Sequence, residues 1–275
     1  MKYCINCLQP DTRPNSKFSD DGICPACEYH KAVGEVDWNY RFTILQEVIR
    51  NNPKKNGSMH DCIIGVSGGK DSTRQALFIR DKLNLNPLLV CLSYPPEQVT
   101  YRGVDNLSNL INLGFDVLVK CPAPQTWRKL KQKGFQKFTN SFRSTEMALF
   151  ATVPQIAIKY GINLILWGEN PSLQLGDMNT LGETGYDGNN LRYANTLSSG
   201  FKWMMDCGFS KNELIPYLYP ETKEFDKYNL KIIYLGWFLG DWSEVGNALY
   251  SCANGLTIRD DGVEKTADLY GITAL

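Results

Sequence analysis

Residues 61–76, DCIIGVSGGKDSTRQA, decide the fold. Residues 62–66 form an apolar run of strand length, and a helical pattern starts at Ser72 and continues to residue 83. Between them lies the turn Ser67-Gly68-Gly69-Lys70-Asp71-Ser72. Two adjacent glycines let the backbone reach φ > 0 and let a ligand approach the amides closely. Those amides stand at a helix N-terminus, where unpaired N–H donors and the helix dipole favour an anion. Val66, Ser67, Gly68, Gly69, Lys70, Asp71 and Ser72 are therefore candidate phosphate-binding residues, with two hydroxyl donors and one cation among them. The spacing is neither the GxxxxGK loop of P-loop NTPases nor the GxGxxG dinucleotide fingerprint. A plain glycine turn would not need both serines, the lysine and the aspartate within six residues.

Downstream, apolar runs at 87–93, 115–120 and 162–167 alternate with helical patterns at 104–113, 126–133 and 144–160. The last helix is expected to be interrupted or kinked at Pro154 and capped by Gly161. This alternation predicts an α/β fold with a doubly wound parallel sheet. Ligands on such sheets lie at the carboxyl ends of the strands. The 67–72 loop, Ser93 with Tyr94, and Gly168-Glu169-Asn170 are expected to meet on that rim.

Upstream, Cys4-x-x-Cys7 and Cys24-x-x-Cys27 are separated by sixteen residues, the spacing of a four-thiolate zinc site. The segment is short, polar and broken by Pro10, Pro14, Gly22 and Pro25, so bound zinc would supply folding free energy that a core cannot. His30 is expected to be an ordinary surface residue. Residues 37–50 have apolar positions at helical spacing with Asp37 as N-cap, and the polar NNPKKNGS at 51–58 reads as a linker. The expected organisation is a zinc-binding segment at 1–36, a helix and linker at 37–56, and a nucleotide-binding domain at 57–275.

The 275 residues carry 29 Lys and Arg against 29 Asp and Glu, which gives no global footprint for nucleic acid. No apolar stretch approaches the ~18 residues of a membrane span, and no apolar region follows the opening MKYCINC as in a signal peptide. Nine cysteines without a secretory signal point to metal ligands or buried thiols, and the cytosol is the expected compartment. Cys62, Cys91 and Cys121 lie in apolar runs and are expected to be inert buried thiols.

SGGKDS resembles the pyrophosphate loop of the PP-loop ATPases, whose fold is that of the adenine nucleotide alpha hydrolases. That family holds the β- and γ-phosphates of ATP while a substrate attacks the α-phosphate. Further segments narrow the resemblance: the opening YCINCLQPDTRPNSKFSDDGICPAC, Asp37-Trp38, the Asn109–Gly114 element, and LILWGENP. Together with the loop they are similar to the N-acetyl sugar amidotransferases of lipopolysaccharide and nonulosonic-acid biosynthesis, over residues 1 to about 171. The match weakens after Pro171, and the chain is expected to be C-terminally short relative to that family.

The resemblance implies ATP-dependent conversion of a sugar acetamido group, on an acetamido sugar or nucleotide sugar, into an acetamidino group. An O-adenylyl intermediate forms, pyrophosphate leaves, and ammonia displaces AMP. It implies ATP, Mg²⁺ and structural Zn²⁺ as cofactors. Its partners would be a glutaminase of the HisH type and a HisF-like subunit. Imported ammonia agrees with the sequence, since His30 and His60 are its only histidines and no nucleophile elbow is visible. Lys70 would offset charge on the leaving pyrophosphate, and Asp71 would reach Mg²⁺ or cap the helix. Ser93 and Gly168 would flank ATP. Glu169 and Asn170 would contact ATP, magnesium or the acetamido group, or else serve a structural turn. The glycine- and asparagine-rich stretch 171–200 shows no period and reads as a lid or substrate loop, with Asp187, Asn190 and Arg192 as candidate sugar contacts. Trp203, Trp237, Trp242, Tyr217, Tyr219 and Tyr234 suit sugar stacking or, more commonly, core packing.

A rival resemblance is to PP-loop tRNA thiolation enzymes, which adenylate a base carbonyl and replace its oxygen with sulfur. Against it, Cys62, Cys91, Cys121, Cys207 and Cys252 form no C-x-x-C pair, and no basic stripe is visible.

Overall fold

The computed structural model describes residues 1–55 and 57–258. The chain divides into two compact units, each gathered from separated stretches. The first comprises Met1–Asn51, Trp167–Gly200 and Lys231–Gly240; the second comprises Asn52–Leu166, Phe201–Leu230 and Asp241–Leu275. Asn56, the expected end of the linker, and residues 259–275 of the expected nucleotide domain lie outside the described residues.

The second unit is built on parallel strands β1 (Cys62–Gly65), β2 (Pro87–Leu92), β3 (Asp116–Lys120) and β4 (Leu164–Trp167), in the order β3-β2-β1-β4. Register is set by pairs such as Ile63 with Leu88, Leu89 with Val117, and Ile63 with Ile165. All six residues of β2 are buried, as expected of a strand covered on both faces. β3 lies at the edge and leaves Val119 half exposed.

The longer helices of this unit are α3 (Lys70–Asp81), α4 (Tyr101–Asn112), α5 (Pro124–Phe138), α6 (Arg143–Tyr160) and α8 (Glu244–Ala253). Their ends follow capping rules. Thr100 Oγ1 accepts from the Gly103 amide at 3.1 Å, Pro124 opens α5, and Gly161 closes α6 at φ 67°. The path β1-α3-β2-α4-β3 winds outward in one direction, and α5 and α6 return the chain to β4 on the other side of β1. With right-handed crossovers this reversal makes the sheet doubly wound, with its switch point between β1 and β4. Helix α6 runs through Pro154 without interruption, as one helix from Arg143 to Tyr160. Pro154 is buried within that long apolar helix, and Thr152 Oγ1 returns a bond of 2.7 Å to the Ala148 carbonyl.

The first unit joins the four-cysteine segment to α1 (Pro25–Ala32), α2 (Trp38–Asn51), α7 (Pro171–Leu175) and β5 (Lys231–Tyr234). Asp37 caps α2 through the Tyr40 amide at 3.0 Å. The 171–200 stretch is ordered into α7 and short helical turns at Met178–Thr180, Asn189–Tyr193 and Asn195–Ser198, correcting the expectation of a structureless loop. It packs on its own unit: α7 lies against α1, Asn15 Nδ2 donates to Asp177 Oδ1 at 2.7 Å, and Thr180, Leu191 and Leu197 are buried. Its glycines permit close approach, since a Cβ on Gly188 would meet Ile232 Cγ2 at 2.5 Å.

The aromatic residues pack as a core. Trp203, Tyr217 and Tyr234 are buried, Tyr219 stacks on Phe225 at 5.7 Å, and Trp237 lies under the Arg41 guanidinium at 3.7 Å. Trp242 is half-buried. Among the described residues, no helix is long and apolar enough to cross a membrane.

Candidate functional site

In the second unit, β1 ends at Gly65, Val66 extends it by donating to the Val90 carbonyl at 2.9 Å, and α3 begins at Lys70. Gly68 makes the turn at φ 84°. A Cβ there would stand 3.2 Å from the Leu107 amide nitrogen and 3.4 Å from the Asn106 carbonyl carbon, so the loop lies directly on the α4 backbone. Gly69 is the N-cap of α3 in an extended conformation, φ −81° and ψ 179°.

Both serines shape the turn. Ser67 Oγ accepts from the Gly69 amide at 3.3 Å, and Ser72 Oγ donates to the Gly69 carbonyl at 3.1 Å. The first-turn amides of α3 have no partner within the helix and present the positive end of its dipole. Lys70 is buried, and its Nζ donates to Asp71 Oδ2 at 2.9 Å. Gln75 Nε2 ties α3 to the carboxyl end of β4 through the Leu166 carbonyl at 2.9 Å. The result is a turn of amides and hydroxyls beside the Lys70 ammonium, which is the chemistry a polyphosphate requires.

Ser93 continues β2, donating its amide to the Lys120 carbonyl at 2.8 Å and its Oγ to the Tyr94 carbonyl at 3.0 Å. Near it, Cys121 is exposed at the end of β3, where a buried thiol was expected. It stands one residue beyond the edge strand and points its Sγ at the Tyr94 carbonyl, 3.5 Å away. Partial burial still raises its pKa. Cys62 and Cys91 are buried as expected, and burial also pushes the Cys62 thiol up. Lys120 donates to Gln155 Oε1 at 2.7 Å, and its pKa is lowered to about 8 by burial first and the Lys159 charge second.

Gly168, Glu169 and Asn170 belong to the first unit. Asn170 is buried: its Oδ1 caps α7 by accepting from the amides of Ser172 at 3.0 Å and Leu173 at 3.4 Å, and its Nδ2 donates to the Gly185 carbonyl at 2.6 Å. Glu169 is exposed, and the Gly168 carbonyl accepts from the Gly236 amide at 2.9 Å. Asp187, Asn190 and Arg192 also lie in this unit and engage their own loop. Asp187 Oδ1 accepts from the Asn189 amide at 2.9 Å, Asn190 Nδ2 donates to the Leu181 carbonyl at 2.8 Å, and Arg192 Nε donates to the Asn189 carbonyl at 3.3 Å.

Cys4, Cys7, Cys24 and Cys27 bring their four Sγ atoms within 4.8 Å of one another. A tetrahedral zinc with Zn–S near 2.3 Å needs sulfurs about 3.8 Å apart, so the cluster fits that ion. The Cys24 amide donates to Cys4 Sγ at 3.3 Å, a bond that fixes where this sulfur lies. Burial opposes ionisation of Cys4, yet backbone amides of Cys24, Cys7 and Asn6 prevail and bring its pKa down to about 6. Burial pushes Cys24 up to about 12, so a cation is what would hold it as a thiolate. His30 is exposed, as expected. A cleft of about 810 Å³ opens beside this cluster, with Asp21, Glu28 and Glu35 but also His30 and Lys31 on its walls.

Sequence reasoning did not single out the partners that α8 brings to the loop. Asn247 Nδ2 donates to Asp71 Oδ1 at 2.7 Å and Ser251 Oγ donates to the Lys70 carbonyl at 2.7 Å. Asp241 Oδ2 accepts from Arg74 Nη2 at 2.6 Å, and Tyr250 lies under that guanidinium at 4.1 Å. An isolated asparagine and serine on a C-terminal helix carry no motif that announces such a role.

No family model matches the chain. Over 64 residues it is 34% identical to an uncharacterized protein of Methanocaldococcus jannaschii, covering 23% of this chain and 22% of that one. The chain thus matches less than a quarter of that relative's length. Among solved structures it is similar to an NH3-dependent NAD synthetase from Campylobacter jejuni, with a TM-score of 0.40 at 16% identity over 70% of this chain and 93% of that one. It is also similar to an NMN synthetase from Francisella tularensis, at TM-score 0.37 and 16% identity over 78% and 83%. A U34-tRNA thiolase from Methanococcus maripaludis gives TM-score 0.30 and 13% identity over 83% and 70%. Scores of this size assign neither a fold family nor an activity.

Proposed function

We propose that the protein is an ATP-dependent, AMP- and pyrophosphate-forming amidotransferase that converts a sugar N-acetyl group to an acetamidino group. Ammonia would come from a partner glutaminase. The observation that carries the nucleotide part is the turn between β1 and α3, with Gly68 at φ 84° and Lys70 opening the helix. The sugar and the partner rest on the resemblance of the cysteine segment, the loop and the WGEN segment to the N-acetyl sugar amidotransferases.

In this reading the amides of Gly68 and Gly69 and the hydroxyls of Ser67 and Ser72 receive the β- and γ-phosphates. The acetamido oxygen attacks the α-phosphorus, the α–β bridging bond breaks, and pyrophosphate leaves in the loop. Lys70 offsets the charge that collects there, an electrostatic contribution of the kind that dominates such transfers. Ammonia then adds to the imidate carbon, and AMP departs with the former acetyl oxygen. Asp71 would be the carboxylate to hold a magnesium ion, which would supply positive charge to neutralise the leaving pyrophosphate. Zinc on Cys4, Cys7, Cys24 and Cys27 would be structural.

One observation favours a second reading, sulfur transfer to tRNA: Cys121 is an exposed thiol beside the carboxyl ends of β2 and β3. Both readings share the adenylation step. Pyrophosphate release from ATP, measured with ammonium and a panel of acetamido and diacetamido nucleotide sugars, tests the first. Release together with an oxygen-to-NH mass change in the sugar supports it. Silence across the panel, with activity on unmodified tRNA and a sulfur donor that is lost in Cys121→Ser, replaces it with the second.

A further inference from the structure

The geometry points to Asn247 as the positioning residue of the phosphate loop: it fixes the Asp71 carboxylate, and through it the Lys70 ammonium that meets the phosphates. This inference rests on the phosphate-loop reading and adds a residue from α8, far along the chain from the motif.

Three observations carry it. Asp71 is held at both oxygens, Oδ2 by Lys70 Nζ at 2.9 Å and Oδ1 by Asn247 Nδ2 at 2.7 Å. Fixing one oxygen from a separate helix sets the direction of the other, and with it the resting place of the ammonium. Next, Asn247 is only 1% exposed, yet its Oδ1 has no hydrogen-bond partner among the described residues. A half-satisfied amide in a buried site is unfavourable, so the position is kept for the bond its Nδ2 makes. Finally, α8 is anchored around that bond. Ser251 holds the Lys70 carbonyl, and Arg74 is bonded to Asp241 and stacked on Tyr250. Just beyond the helix, the Thr257 amide and Oγ1 both donate to Asn106 Oδ1, at 2.8 and 2.9 Å. Asn106 belongs to the α4 segment on which Gly68 rests. The segment from Asp241 to Thr257 therefore braces the loop from both of the helices that form its floor.

The test is calorimetric titration of the full chain with inorganic pyrophosphate and with ATP, for wild type, Asn247→Ala and the near-isosteric Asn247→Asp. Ser210→Ala removes the cap of the short helix Lys211–Leu214, outside the bracing segment, and serves as the comparator for lost stability alone. Asn247→Ala is expected to weaken pyrophosphate and ATP binding roughly tenfold, the scale of one hydrogen bond to a charged group. Asn247→Asp should weaken both further, because a second carboxylate repels phosphate. Ser210→Ala should lower the melting temperature and leave pyrophosphate affinity within about twofold. If wild type binds pyrophosphate and either Asn247 variant binds it equally well, or if Ser210→Ala loses as much affinity as Asn247→Ala, the positioning role is overturned. If wild type binds neither ligand, the phosphate-loop reading falls and the positioning role with it.

Discussion

Gly68→Ala probes the backbone on which the nucleotide site depends. At φ 84° an alanine enters the left-handed region, at a cost of roughly 1–2 kcal/mol. Its Cβ would also lie 3.2 Å from the Leu107 nitrogen and 3.4 Å from the Asn106 carbonyl carbon, both backbone atoms of α4. Because a helix backbone cannot swing aside as a side chain can, we add about 1–3 kcal/mol for overpacking. The expected destabilisation is about 2–5 kcal/mol, or a fall in melting temperature of about 4–20 °C for a unit of this size. Urea denaturation followed by circular dichroism reads the first figure, and calorimetry the second. Gly69→Ala supplies the contrast. Its φ of −81° and ψ of 179° suit any residue, so stability should stay within about 1 kcal/mol of wild type. A Gly68→Ala protein within about 0.5 kcal/mol of wild type would refute the steric reasoning; so would a Gly69→Ala protein that loses the fold.

Other perturbations separate packing, charge and metal contributions. Arg74→Met should cost more stability than Asp241→Asn, because Arg74 is buried and stacked on Tyr250 whereas the Asp241 side chain is 69% exposed and its half of the ion pair is worth only about 0–1 kcal/mol; equal losses in urea titrations would contradict this. Lys120 has a folded-state pKa depressed from 10.5 to about 8, so between those values the unfolded chain binds more protons than the folded one. Its contribution to stability should therefore rise from pH 8 to pH 10.5, and Lys120→Met should flatten that rise; parallel pH profiles for the two proteins would contradict it. Removing the metal with a strong chelator, or replacing Cys24 with serine, should open residues 1–32 to proteolysis and abolish stoichiometric zinc, whereas full zinc occupancy in Cys24→Ser would contradict a four-thiolate site. Asn170→Ala should lose roughly 1–2 kcal/mol for the α7 cap alone, read by hydrogen exchange over residues 171–185, and unchanged protection there would count against it.

Local chemistry was legible in the sequence. The strands at 62–65, 87–92, 116–120 and 164–167 are apolar runs bounded by turn residues, and each formed within a few residues of its expected bounds. Cysteine spacing is a covalent pattern, and it survived as four sulfurs within 4.8 Å. Assembly was less legible. The 171–200 stretch looked empty because its order comes from distant partners: Asn15 with Asp177, Ile232 against Gly188, and α1 against α7. Periodicity reports only which residues share a face of one element, and that stretch has only short elements. At Pro154 the interruption did not occur: proline destabilises an isolated helix, but this one is buried within the second unit. Cys121 is one residue past an edge strand, and hydropathy alone does not distinguish an edge strand from a covered one. Asn247 and Ser251 had no signal at all, because a helix that braces a loop from more than 170 positions away needs only a donor at the right place.

The most direct measurement follows one oxygen atom. An acetamido nucleotide sugar that supports turnover is synthesised with ¹⁸O in its acetyl carbonyl and incubated with ATP and ammonium, and the nucleotide products are identified by mass spectrometry. Adenylation in the β1–α3 loop predicts pyrophosphate together with AMP carrying the ¹⁸O label. ADP and phosphate, or AMP without the label, would contradict it.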